Sequence, residues 1–175
     1  GILYGMGVNA LRQNLGETVT REEAAHFLAD YFTNFAGLQA YLERTKVDAA
    51  RLGYTETYFG RRRNFSGFTS HLPQVRAQAE RMALNAPIQG TQADIIKKAM
   101  VSADAWIQTH ARGDAQLLLQ VHDELIYEVT EGKEKDVANN IRHIMEQVLA
   151  DGLLNGVPIK AEVAIGKNWG TMERI

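Results

Sequence analysis

Apolar residues recur every third or fourth position over most of this chain and alternate with polar ones in a few short stretches. Residues 8–15 (VNALRQNL) predict a short helix ending at Gly16. Thr20 followed by Glu23 makes a capping box. It opens a helix to about Asn34, with Ala24, Phe27, Leu28, Tyr31 and Phe32 as its apolar face. A helix from about Leu38 closes at Gly53. "YTETYFGRRRNF" (54–65) places β-branched and aromatic residues around Gly60 and predicts a small exposed hairpin. Pro73 to Arg112 is helical in pattern except at Pro87. There the missing donor and the ring's clash with the preceding turn predict two helices or a sharp kink. The second part is expected to bury Ile95, Ile96, Ala99, Met100, Ala103, Trp106 and Ile107. In "LLLQVHDELIYEV" (117–129) two strand-forming runs close on His122, Asp123 and Glu124, and the near-continuous apolar flanks imply buried strands. A helix from about Glu134 to Asp151 carries Val137, Ile141, Ile144, Met145, Val148 and Leu149 on one face. "PIKAEVAIGKNW" (158–169) then predicts a strand with Ile159, Ala161, Val163 and Ile165 on one side. Helices followed by a β-β-α-β unit with an antiparallel hairpin is an α+β arrangement, with a break near residues 78–86.

Composition narrows the class. Apolar residues make up 45% of 175 and charged residues 23%, which supports a folded core and excludes disorder. With no cysteine, disulfides and thiolate metal sites are excluded. No apolar run is long enough for a transmembrane helix, and no cationic leader followed by an apolar segment is seen; no signal peptide, a cytoplasmic location and no membrane partner are expected. The net charge of -2 conceals a segment, 56–81, in which Arg61, Arg62, Arg63, Arg76 and Arg81 face only Glu56 and Glu80. A basic segment beside an acidic one suits a polyanion held near a metal site.

The candidate chemistry lies in three places. Adjacent carboxylates at a strand turn repel one another unless cations neutralise them, and as hard oxygen ligands they suit Mg²⁺ or Mn²⁺. Successive strand residues point to opposite faces, so Asp123 is the expected ligand and Glu124 its auxiliary. A polar hairpin tip in solvent is the plain alternative. Arg81, Asn85 and Gln89 recur every fourth residue around Pro87, and these residue types donate hydrogen bonds to phosphates, sugars and base edges. A wet helix face would look the same. In "LYGMG" (3–7) glycines flank Tyr4, either to let a base stack on its ring or to mark a helix end.

"GILYGMG", "GYTETYFGRRRNF", "ERMALNAPIQGTQADIIKKAM" and "QVHDELIYEV", in that order, resemble the C-terminal part of family A DNA polymerases of the bacterial DNA polymerase I type. The resemblance runs over essentially the whole chain. It implies the later part of a fingers domain over residues 1–77 and the C-terminal half of a palm domain over 78–175. It further implies that Asp123 is a catalytic carboxylate holding divalent metal, Mg²⁺ or Mn²⁺, of which the intact enzyme uses two ions, that Glu124 is its less critical neighbour, and that His122 contacts the primer end. Arg81, Asn85 and Gln89 would read the minor groove of the new pair, and Tyr4 would stand beside the templating base. The implied partners are primer-template DNA and deoxynucleoside triphosphates, and the implied activity is template-directed nucleotidyl transfer in DNA replication and repair.

Departures from the family pattern set limits. The family's other essential aspartate belongs to a strand motif upstream of these residues. "ADYF" (29–32) looks faintly like it, but Asp30 falls in an amphipathic helix. The Arg and Lys that grip the triphosphate precede the tyrosine. The chain alone is therefore expected to be inactive. Rival readings are a metal phosphohydrolase built on His122-Asp123, disfavoured by the spacing of His26, His71, His110 and His143, and a non-catalytic DNA-binding fragment using Arg61–Arg63 and the Arg81 stripe. A palm sheet lacking its upstream strand would also expose an edge that invites a non-native dimer.

Overall fold

A computed structural model describes residues 1–16, 18–149 and 155–175. The chain forms two compact units, Gly1–Thr91 and Gln92–Ile175. The expected fingers–palm division at 77/78 falls inside a helix.

The first unit opens with a 3-10 turn, Ile2–Tyr4, capped by Gly5 in the left-handed region. Helix α1 (Val8–Leu15) follows, ending at Gly16. Helix α2 (Arg21–Asn34) starts at the expected capping box: Glu23 N–H donates to Thr20 Oγ1, and Thr20 N–H donates to Glu23 Oε2 at 2.8 Å. Of its apolar face Ala24 is buried, Leu28, Tyr31 and Phe32 are half-buried, and Phe27 is exposed. Asp30 lies in this helix paired to His26 at 2.9 Å, as the rejection of "ADYF" requires. Helix α3 (Ala36–Leu52) stops at Gly53, whose φ of 78° is cheap only for glycine. Strands β1 (Tyr54–Glu56) and β2 (Arg62–Asn64) then pair antiparallel, Glu56 opposite Arg62.

Helix α4 (Pro73–His110) corrects the two-helix alternative: one helix runs through Pro87. An interior proline costs about 3 kcal/mol and removes one intrahelical bond. Here side-chain contacts at the following turn, described below, offset that loss.

In the second unit, Ala103 and Ile107 of α4 and Ala111 just past its end form a buried cluster with Val137 and Ile141 of α5 (Glu134–Glu146), and Trp106, Tyr127 and Met145 pack around it. Of the other residues expected in α4's core, Ile96 and Ala99 are buried, whereas Ile95 and Met100 are half-buried. Helix α5 ends earlier than Asp151. Val148 and Leu149 lie beyond it, and residues 150–154 are outside those described.

Strands β3 (Ala115–Val121) and β4 (Glu124–Val129) form a two-stranded antiparallel ribbon with a register shift between Leu117 and Leu119. The extra residue is a bulge, which adds local twist. Their flanks are not buried as expected: Leu118 and Leu119 are half exposed. The ribbon has no third strand to cover it among the described residues. The expected final strand is also reduced. Only Ala164–Ile165 (β5) pairs, and its partner is Glu173–Arg174 (β6) rather than the ribbon.

Candidate functional site

Asp123 sits at the tip of the β3–β4 ribbon. Val121 pairs with Glu124, which leaves His122 and Asp123 as a two-residue loop. Such loops ask for positive φ, normally supplied by Gly or Asn. His122 takes it instead, at φ 53°. A left-handed conformation costs an L-residue roughly 1–2 kcal/mol, and strain of this kind gathers at functional sites. Gln120 Nε2 donates to the His122 carbonyl and locks the turn. His122, Asp123 and Glu124 are all exposed. Neither carboxylate makes a hydrogen bond or ion pair among the described residues, so both are free to take a cation.

Beside the tip lies a groove of about 660 Å³. One wall is Asp123 to Ile126, the other Ile159 to Ala164. Ile95, Ile96, Ala99 and Met145 line it with apolar surface, and Gln92 and Lys160 contribute polar groups. Among the described residues β4 pairs only with β3. Between Ile159 and Val163 the backbone makes two hydrogen bonds among the described residues. Ala161 N–H donates to Glu146 Oε1 at 3.2 Å, and Val163 C=O accepts from Ile175 N–H at 3.1 Å. The backbone groups of Lys160 and Glu162 make no hydrogen bond among the described residues.

In the first unit, Arg81, Asn85 and Gln89 share one face of α4 because the helix is continuous. Arg81 and Gln89 are exposed and Asn85 is half-buried. The Asn85 Oδ1 is buried and without a hydrogen-bond partner among the described residues. Tyr4 is near this face: a side chain at Gly5 would begin 3.2 Å from Leu84 Cδ1 and 3.5 Å from Arg81 Cγ. Tyr4 is 37% exposed, and Gly5 ends the 3-10 turn, as the helix-end reading of "LYGMG" expects.

The arginine run is less available than its charge implies. Arg61 Nη2 donates to the Gly90 carbonyl at 3.0 Å. Arg62 pairs with Glu56 at 2.6 Å and lies 4.4 Å above the Tyr54 ring, which together raise its pKa. Arg63 lies over Phe65.

The model of DNA polymerase family A matches residues 1–171. The chain belongs to this family. DNA polymerase I of Pseudomonas aeruginosa is 42% identical over 97% of the chain and 18% of its own length. The thermostable DNA polymerase I of Thermus aquaticus is 40% identical over 97% of the chain and 19% of its own length. A solved structure of the POL domain of Pol1 from M. smegmatis, complexed with DNA primer-template and dNTP, is 42% identical. It superposes with a TM-score of 0.79, over 85% of this chain and 26% of that one. The chain thus spans about a fifth of the length of these curated family A relatives. No helix among its described residues is long and apolar enough to cross a membrane.

Sequence reasoning missed the groove walls at Ile159–Ala164, the residue Gln92, and the contacts of Arg61. Each depends on pairing between segments far apart in the chain, which no local pattern encodes. No group of three or more His, Cys, Asp or Glu residues suited to a metal occurs among the described residues. The hairpin tip presents two adjacent exposed carboxylates, Asp123 and Glu124.

Proposed function

We propose that this chain is the section of a DNA-directed DNA polymerase comprising the later fingers (residues 1–77) and the C-terminal half of the palm (78–175). The parent activity is template-directed nucleotidyl transfer to a primer 3′ end. The observation that carries this reading is Asp123, an unengaged carboxylate on a strained tip at the end of an open groove. Among the described residues β4 pairs on one side alone, and its other edge along this groove suits one further extended strand, the kind of element on which the family's earlier aspartate lies.

Asp123, with Glu124 beside it, is the place for Mg²⁺ or Mn²⁺. Both are hard oxygen donors, and Mg²⁺ in particular accepts one or two carboxylates while keeping water and phosphate oxygens as its other ligands. Bound there, the ion would supply Lewis-acid stabilisation of phosphate charge. His122 presents its imidazole toward the primer end. Arg81, Asn85 and Gln89 contact the minor groove of the newly formed pair. Minor-groove acceptors are nearly the same in every correct pair, so these donors test pair geometry rather than sequence. The orphaned Asn85 Oδ1 fits a group whose partner arrives with the ligand. The accessible Tyr4 ring provides a stacking surface for the templating base. Primer-template DNA and deoxynucleoside triphosphates are the partners. An unfilled groove also allows a non-native dimer through its open edges.

Fluorescence anisotropy with labelled primer-template and with blunt duplex tests this reading. Tighter binding to the recessed end, weakened about tenfold by Arg81→Ala, is expected; a bidentate-type contact of this kind is worth roughly 1–3 kcal/mol. Equal, purely salt-governed binding to both DNAs would instead describe a non-catalytic DNA-binding fragment.

A further inference from the structure

The turn of α4 from Pro87 to Thr91 is built from poor helix formers. Pro87 supplies no N–H, and Gly90 is the residue type most costly to order after proline. Left alone, this turn would be the weakest in the helix, and Gln89 lies in its middle. The β1–β2 hairpin docks on it from the side. Tyr58 N–H donates to Thr91 Oγ1 at 2.9 Å, and the same hydroxyl donates to the Pro87 carbonyl at 2.6 Å. One hydroxyl therefore joins the hairpin to the proline turn, using its donor and an acceptor site together. Arg61 Nη2 donates to the Gly90 carbonyl at 3.0 Å. Gly90 itself is the contact surface. A Cβ there would fall 2.6 Å from Thr57 Cγ2 and 3.3 Å from Arg61 Nη2, so only glycine lets the hairpin approach.

The hairpin end is equally fixed. Thr57 N–H donates to the Arg61 carbonyl and Gly60 N–H to the Thr57 carbonyl, both at 2.9 Å, while Arg61 N–H donates to Thr57 Oγ1. Thr57 is buried. Polar groups on the hairpin thus converge on the one turn of α4 that cannot hold itself.

We propose that the β1–β2 hairpin is a clamp on the Pro87–Thr91 turn, and that Thr91 and Arg61 are positioning residues that fix Asn85 and Gln89 for contact with the nucleic acid. This rests on the nucleic-acid reading above. Neither residue need touch the ligand. The clamp acts by holding the register of the helix face across its proline.

The test compares the 175-residue chain with its Thr91→Val, Thr91→Ser and Arg61→Gln variants by two readouts. Amide hydrogen exchange at Tyr58, without nucleic acid, reports the clamp itself. Anisotropy with primer-template and blunt duplex at matched salt reports the helix face. Thr91→Val keeps the shape but loses both hydrogen bonds. It is expected to speed exchange at Tyr58 at least about tenfold and to reduce the preference for the recessed end by a similar factor. Thr91→Ser restores both, and Arg61→Gln gives a smaller loss in the same direction from an exposed position that does not threaten folding. Unchanged Tyr58 protection in Thr91→Val, or a preference for the recessed end that survives loss of that protection, overturns the clamp. If the unsubstituted chain shows no preference for the recessed end, the nucleic-acid reading fails instead, and with it the role assigned to Thr91 and Arg61.

Discussion

The two longer-described hairpins contrast sharply. β1–β2 is short, polar and rich in arginine, yet it is the anchored one. Thr55 and Thr57 are buried, Arg62 is paired to Glu56, and the tip is hydrogen-bonded to α4. β3–β4 is longer and far more apolar, yet Leu118 and Leu119 are half exposed and, among the described residues, β4 has one unpaired edge. Hydrophobicity alone therefore does not tell which hairpin is held. The polar hairpin is complete within its own unit. The apolar one has surface and backbone groups still to be covered, and it is the one that carries Asp123.

The largest stability effect is expected where the anchored hairpin leaves no room. Gly90→Ala gains up to about 1 kcal/mol of helix propensity, but overpacking against Thr57 costs typically 1–3 kcal/mol. The net result is a lower urea midpoint; an unchanged or higher midpoint would mean that the docking is loose.

On the open hairpin the effects are smaller and take another form. Burial, and then the charge of Asp104, push the Tyr127 hydroxyl up to about 12, and that hydroxyl is buried without a partner among the described residues. The folded state holds this proton more tightly than the unfolded state, whose tyrosine titrates near 10. Its contribution is unaffected below pH 10 and is lost as pH rises from 10 to 12. Because the ring is only partly buried, screening reduces the loss to about 1 kcal/mol. Denaturation of Tyr127→Phe across that range should show a shallower fall than the unsubstituted chain, and little change near neutrality.

The smallest effect is at the tip. His122→Gly relieves a left-handed residue worth roughly 1–2 kcal/mol while adding chain entropy of roughly 0.5–1 kcal/mol, so a gain of about 0.5 kcal/mol is expected by chemical denaturation. A loss would show that the imidazole itself holds the turn.

What could be read from the chain follows the range of each interaction. Thr20, Glu23, Gly16 and Gly53 act within a few residues, so α1, α2 and α3 end where the pattern places them. The unbroken α4 was not legible, because its proline turn is held by Tyr58 and Arg61, some thirty positions away. The apolar flanks of Asp123 suggested buried strands, but burial needs a partner, and sequence records only the readiness to accept one. For the same reason residues 158–169 read as a strand, yet only Ala164–Ile165 pairs as one. The order of motifs, with "VHDE" after "NAPIQGTQADIIKKAM", carried the family where periodicity could not.

Single-turnover primer extension tests the central claim most directly. The chain would be expressed in continuity with a preceding family A segment bearing the earlier aspartate, as unsubstituted protein and as Asp123→Asn, with Mg²⁺ present. Extension by the unsubstituted protein should fall by well over the roughly 10- to 100-fold typical of altering an outer-shell partner of a metal ligand, with primer-template binding retained. Extension that survives Asp123→Asn would contradict the assignment of that carboxylate to the metal.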